Sequence, residues 1–129
     1  MVIDSIGHIE PKIFGVPLDG NGVVAIADTD NGELDEDPTI DRAIGPMQII
    51  PQTWRSWVVD GSGDGVPDPH NINDAALAAG DYLCHATGEL STPDGWRSGI
   101  ASYNAGDAYL RTVATAAQRY ADAAASVTP

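Results

Sequence analysis

A mainly helical fold with long irregular loops is what this sequence predicts, on three observations. The C-terminal half carries apolar residues at helical spacing. Strand-like alternation is nearly absent. Glycine, proline and aspartate crowd two stretches between residues 11 and 73, where regular structure would have to be interrupted.

Ile3, Ile6 and Ile9 fall on one stripe, which predicts a short helix or helix end over Val2–Glu10. Pro11 stops it, because the residue before a proline avoids the helical region. From Pro11 to about Asp41 the chain reads as irregular, with Pro17, Gly20, Gly22, Gly32 and Pro38 as turn-makers. Val23–Ala27 is the best strand candidate in it, and it is short. Pro46 and Pro51 suit first-turn positions of short helices. Over Pro51–Val59, helical spacing puts Trp54, Trp57 and Val58 on one face. Asp60–Asn73 is a second long loop. Asp74–Ala86 reads as an alanine-rich helix stopped near Gly88. Asp94–Tyr103 reads as another helix. The last runs from Asp107 to about Ala125, with Tyr109, Leu110, Val113, Ala117 and Tyr120 in register, leaving Ser126–Pro129 to fray.

The length of 129 residues suits one domain over 1–129 with one core. Nineteen acids against six bases give a net charge of −13. That balance argues against nucleic acid, whose phosphates need a basic face, and against an anionic membrane surface. No apolar run approaches the ~18 residues of a membrane span. No basic leader and apolar stretch open the chain, so no signal peptide is read there. Cys84 has no partner for an internal disulfide, and its place in an apolar helical pattern suggests a small buried residue.

Two acidic segments bear on metal binding. In DGSGDGVPDPHNIND, Asp60, Ser62 and Asp64 stand at positions 1, 3 and 5 of an EF-hand-like loop. Gly65 is at the sharp-turn position and the Val66 carbonyl at position 7. Asn71 replaces the usual closing glutamate, so Asp74 is the candidate closing ligand, with Asp68 acting through water. A long flexible oxygen loop suits calcium better than magnesium. The plainer alternative is a surface turn in which Asp74 caps the next helix. In DTDNGELDED (Asp28–Asp37), Asp28 and Asp30 offer a second pair of oxygens, though a solvated loop is the simpler reading.

Four segments carry a family resemblance. GPMQIIPQTW (Gly45–Trp54) resembles the G-P-M-Q-F-[IM]-P-S-[TS]-[WY] stretch lining the sugar groove of lytic transglycosylases, especially the membrane-bound B-type enzymes and their actinobacterial relatives. DTDNGELDEDPTIDRA (Asp28–Ala43) and VDGSGDG…DPHNINDAALAAGDYLC (Val59–Cys84) are similar to segments of the same family. SYNAG (Ser102–Gly106) is similar to its A-Y-N motif. The resemblance extends over nearly the whole chain from about Ile13 onward. The resemblance implies a lysozyme-like helical domain, short at its N-terminus, that cleaves peptidoglycan.

It also implies roles. Met47, Gln48, Tyr103 and Asn104 would contact the glycan. Gln48 both donates and accepts hydrogen bonds, and Met47 and Tyr103 offer apolar faces to sugar rings. Read without the family, Met47 and Trp54 would be core and Asn104 a turn. Ile6-Gly-His-Ile-Glu10 aligns with the catalytic helix end I-G-x-V-E, making Glu10 the acid, but the S-G-H-G segment that follows in the family is absent. Glu10 would serve as both acid and base, giving a 1,6-anhydromuramoyl product, with calcium bracing a loop outside the chemistry. The partners implied are peptidoglycan glycan strands, the location is extracytoplasmic, and the protein is a monomer. Two other readings stand beside it: a hydrolase like the goose-type lysozymes, and an inactive glycan-binding or structural module.

Overall fold

The computed structural model describes residues 1–86 and 88–127. They divide into two compact units, Met1–Asp81 and the remainder from Tyr82 onward. Regular structure among the described residues is mostly helical: α1 (Pro51–Ser56), α2 (Ile72–Ala86), α3 (Pro93–Tyr103) and α4 (Asp107–Val127). One two-stranded antiparallel sheet accompanies them, β1 (Val2–Ile3) with β2 (Ile9–Glu10). No helix of the described residues is long and apolar enough to cross a membrane.

The N-terminal helix expected over Val2–Glu10 is instead this hairpin, with Val2 opposite Glu10 and Ile3 opposite Ile9. Asp4 decides it. Its carboxylate accepts the backbone N–H groups of Ile6 and His8 at 3.0 and 2.9 Å, while its own N–H donates to the His8 carbonyl. Gly7 then takes φ +97°, a conformation glycine adopts without penalty. The isoleucine stripe was real but two-sided: Ile9 is buried, whereas Ile3 and Ile6 are exposed.

Residues 11–50 run as turns and short extended pieces joined by isolated bridges, without a continuous ladder. The segment after Pro11 lies beside the approach to Gly45. Gly45 donates to Ile13, Gly15 to Ala43 and Leu18 to Asp41. Val23–Ala27 forms no strand. It contributes only isolated bridges, Asp19 with Ala25 and Ala27 with Ile40. Ile9, Ile44, Ile49 and Trp54 make the large apolar core here, completed by Ala75, Ala78 and Ala79 of α2. Each large side chain so buried contributes roughly 1.5–3 kcal/mol of transfer free energy. Trp57 and Val58 fall outside that core, because α1 ends at Ser56 before they can join the Trp54 face.

The helix α2 starts two residues before the expected Asp74, and its alanines permit close packing. Its Cys84 is exposed, not buried, since the apolar stripe of α2 runs through Ala75, Ala78 and Ala79. In the second unit, Thr92 caps α3 by accepting from the Gly95 N–H at 3.1 Å, and Pro93 follows at the first turn. Ile100 is buried, but α4 buries no residue fully despite its 21-residue length. Ser126 remains within α4, its hydroxyl donating to Ala123. The end of the expected fraying tail lies outside the described residues.

Gly45 shows how tightly the first unit is closed. Its φ is +72°, and a Cβ there would run into the Pro69 carbonyl oxygen. Gly45→Ala combines backbone strain with overpacking against a backbone atom that cannot turn aside. It should lower the unfolding free energy by roughly 2–4 kcal/mol, read from urea denaturation midpoints. A loss under about 0.5 kcal/mol, the range of an ordinary surface substitution, would show that the turn is looser than described.

Candidate functional site

The Gly45–Trp54 segment forms a closed turn followed by α1. Ile44 and Ile49 bridge each other, exchanging both backbone hydrogen bonds at 2.9 and 3.1 Å. Both side chains are buried, so the loop between them is clamped at its base. Gln48 takes φ +50°, in the left-handed region that a residue other than glycine enters only when its surroundings hold it there. Its amide nitrogen donates to the Gly45 carbonyl at 3.0 Å. The oxygen of that amide lies over Gly15, where an added Cβ would sit 2.9 Å from it. Met47 is half-buried and Gln48 exposed, so neither is a core residue, whereas Trp54 is. A rigid turn thus presents one thioether and one oriented amide.

Glu10 stands exposed on β2, paired across the hairpin with Val2. The expected helix end beneath it is absent for the reason given above. Tyr103 is the last residue of α3, half-buried, its ring edge-on to Tyr82 at 5.8 Å. Burial pushes its phenol well above the ordinary tyrosine range, with the neighbouring Tyr109 and Tyr82 adding to it. Asn104 is the C-cap of α3 and exposed; its N–H donates to Ile100. Glu10, Met47 and Gln48 belong to the first unit, Tyr103 and Asn104 to the second.

The Asp60 loop turns its oxygens onto its own backbone. Asp60 accepts N–H bonds from Gly63 at 2.7 Å and Gly65 at 2.8 Å, and the Ser62 hydroxyl at 3.0 Å. Asp64 accepts from Val66. Asp74 is fully buried and accepts from Ser62 and Asp68, which ties the loop to α2. The Gly65 and Gly63 N–H groups hold Asp60 below the usual carboxylate range against a smaller opposing effect of desolvation. Asp60, Asp64 and Asp74 do not gather as a three-carboxylate group among the described residues.

Such a group forms elsewhere. Asp28, Asp30 and Asp41 each place a carboxylate oxygen within 4.8 Å of the others, with Asp30 and Asp41 buried. The first two stand at the start of the acidic run. Asp41, eleven residues beyond Asp30, escaped the sequence reading because nothing in the spacing announces it. Asp28 accepts N–H bonds from Asp30, Asn31 and Gly32. Asp30 accepts from Gly32 and Leu34. Asp41 accepts both the N–H and the hydroxyl of Thr29, at 2.9 and 2.7 Å. Desolvation raises Asp28, but its N–H donors outweigh that and hold it low. In Asp30 desolvation prevails, aided by the charge of Asp35, and its carboxyl is raised. Three carboxylates this close are a set of hard oxygen donors that could hold a divalent cation.

Comparisons of the chain with protein-family models, characterised proteins and solved structures return no match.

Two outcomes follow from the electrostatics. Asp4, Asp28, Asp37 and Asp60 are all held low by hydrogen bonds. Their folded values lie below the unfolded ones, so the stability they contribute is complete above the ordinary range near pH ~4 and is lost as pH falls below it. Thermal melts from pH 6 to 2 should show the midpoint dropping steeply only under about pH 4. Asp30 has the opposite sign: ionised at neutral pH, it opposes folding unless a cation offsets it. Asp30→Asn keeps an acceptor for Gly32 and Leu34. It should therefore melt higher than the parent in chelator and gain less from added divalent cation. A variant with the parent's melting temperature in chelator and the parent's response to cation would remove the cluster from consideration.

Proposed function

We propose that this chain is a peptidoglycan lytic transglycosylase domain of lysozyme-like architecture, acting on the β-1,4 bond between N-acetylmuramic acid and N-acetylglucosamine. The observation that carries the reading is the Gly45–Ile49 turn. The Gln48 side-chain amide is oriented by its bond to the Gly45 carbonyl, Gly15 leaves room for its oxygen, and Met47 stands beside it, in the one segment whose motif most resembles a glycan groove. An acetamido group or sugar hydroxyl needs such a donor–acceptor pair, and a sugar ring needs an apolar face. Tyr103 and Asn104 are the further glycan contacts of this reading.

Glu10 is the acid–base residue. As a carboxylic acid it gives its proton to the glycosidic oxygen, and the N-acetylglucosamine leaves as an alcohol. The carboxylate so formed takes the proton of the muramoyl C6 hydroxyl, whose oxygen bonds to C1. The product is a 1,6-anhydromuramoyl end, Glu10 regains its proton, and no water is consumed. The substrate acetamido group supports the positive charge at C1 in place of a second carboxylate. Glu10 is exposed on β2, so in this reading the bound glycan itself must exclude water from the carboxyl.

Calcium belongs to this reading as a bracing ion outside the chemistry. Asp28, Asp30 and Asp41 offer it the best-gathered oxygens; the Asp60 loop with Asp74 is the alternative cage. The substrate places the protein outside the cytoplasmic membrane, working on glycan strands as a monomer. One observation favours a second reading. Glu10 sits on a strand edge in open solvent, which suits a glycan-binding module without turnover.

Purified sacculi separate the readings. The parent should release muropeptides with anhydro ends, and Glu10→Gln should reduce release by about 10²–10⁴-fold, the usual contribution of an acid–base group. Products one water heavier would make the enzyme a hydrolase. Sacculus binding without release, unaffected by Glu10→Gln, would leave the binding module. Gln48→Ala should weaken sacculus binding by up to about tenfold, one oriented hydrogen bond's worth. Calcium at ~100 times its dissociation constant should stabilise the fold by about 2.7 kcal/mol relative to chelator; an unchanged melting temperature would exclude it.

A further inference from the structure

The second unit holds a feature that the glycan reading does not use. An open cavity of about 570 Å³ lies between α3, α4 and the loop entering α3. That volume falls within the ~300–1,000 Å³ of small-molecule sites. Trp96, Leu90 and Leu110 line it with apolar surface, and Arg97 and Arg111 line it with charge.

The charge is out of keeping with the rest of the chain. Fifteen of the nineteen acids lie in residues 1–81, against three of the six bases. The other three bases lie from residue 82 onward, and two of them line this one cavity. Guanidinium groups bind carboxylate or phosphate through a planar fork of donors. Among the described residues neither arginine is locked into a short ion pair. Arg97 stands 3.7 Å from Asp94, both largely exposed, well beyond the ~2.7–2.9 Å of a charge-assisted hydrogen bond. A ligand oxyanion can take Asp94's place at little cost. The nearby Glu89 is engaged by the Ser91 N–H at 2.9 Å, and the Thr92 hydroxyl by the N-terminus of α3. Neither carboxylate fills the cavity, while the indole and the leucines offer an apolar wall beside the cationic groups.

We propose that this cavity binds a small carboxylate with an apolar body, of the class of N-acyl amino acids and peptide C-termini. The carboxylate is held between Arg97 and Arg111, and the apolar group rests on Trp96 and the two leucines. Inorganic phosphate meets the charge but not the wall, so it is the weaker ligand. The proposal does not depend on glycan cleavage.

The test is a titration of the full chain with N-acetyl-leucinate, followed by NMR of backbone and indole N–H groups. Saturable shifts are expected at Trp96, Arg97 and Arg111. N-acetyl-leucinamide, which lacks the charge, and inorganic phosphate, which lacks the apolar body, should each bind at least about tenfold more weakly, a difference of ~1.4 kcal/mol. Arg97→Gln and Arg111→Gln alter exposed side chains, so the melting temperature should hold while affinity for N-acetyl-leucinate falls severalfold. Equal affinity for the acid and its amide would overturn the proposal. So would phosphate binding as tightly as the acid, shifts centred outside α3 and α4, unaltered affinity in both arginine variants, or no saturation by about 10 mM, where binding is weaker than ~3 kcal/mol.

Discussion

Buried backbone N–H groups must find acceptors, and in the first unit the acceptors are aspartates. A sheet or a long helix would satisfy its own backbone. Residues 11–50 have neither, and carboxylates substitute for the missing ladder. Asp41 holds Thr29, Asp35 holds Asp37 and Arg42, Asp74 holds Ser62 and Asp68, and Asp30 holds Gly32 and Leu34, though in Asp30 the cost of burying the charge outweighs the bonds. All four acids are buried. Hydrogen bonds to charged groups are stronger than neutral ones, at ~1.5–3 kcal/mol each, which is why a chain so poor in regular structure can still close around a small apolar core. Much of the −13 net charge is therefore structural. The acids are joints of the loops before they are anything else.

That dual character explains what could be read from the sequence and what could not. The three later helices follow from apolar periodicity and alanine-rich composition, and their positions are legible to within two residues. The hairpin at the N-terminus is not. An isoleucine every third residue fits a helix, and the Asp4 side chain that folds it into a turn announces itself only once its two N–H donors are in place. The turn at Gly45–Ile49 is legible as a motif, but the clamp of Ile44 on Ile49 and the left-handed Gln48 are three-dimensional facts. Acid spacing was the least informative signal. It drew attention to Asp60, Ser62 and Asp64, whose oxygens mostly face their own loop, and passed over Asp41, which completes the group with Asp28 and Asp30.

The two units answer different physical problems. The first spends its side chains on fixing loops, and its apolar core is small for its length. The second is built on α3, capped by Thr92, and on α4, with modest burial: Ile100 is covered, but the whole of α4 keeps water on most of its surface. Charge follows the same division: aspartates gather where loops need joints, and arginines form a larger share where helices do not.

Asn71 ties the beginning of the chain to its middle. It has no exposed surface, its side-chain amide donates to the Ile6 carbonyl 65 residues earlier, and its side-chain oxygen accepts from Asn73 at the start of α2. Ile72 adds a backbone bond to Gly7. The hairpin is secured only once residues 71–73 are in place beside it. Closing so long a loop delays folding, because its entropy must be lost before the contacts are gained. Until that loop closes, β1 and β2 are open to wrong pairing and to chaperone capture.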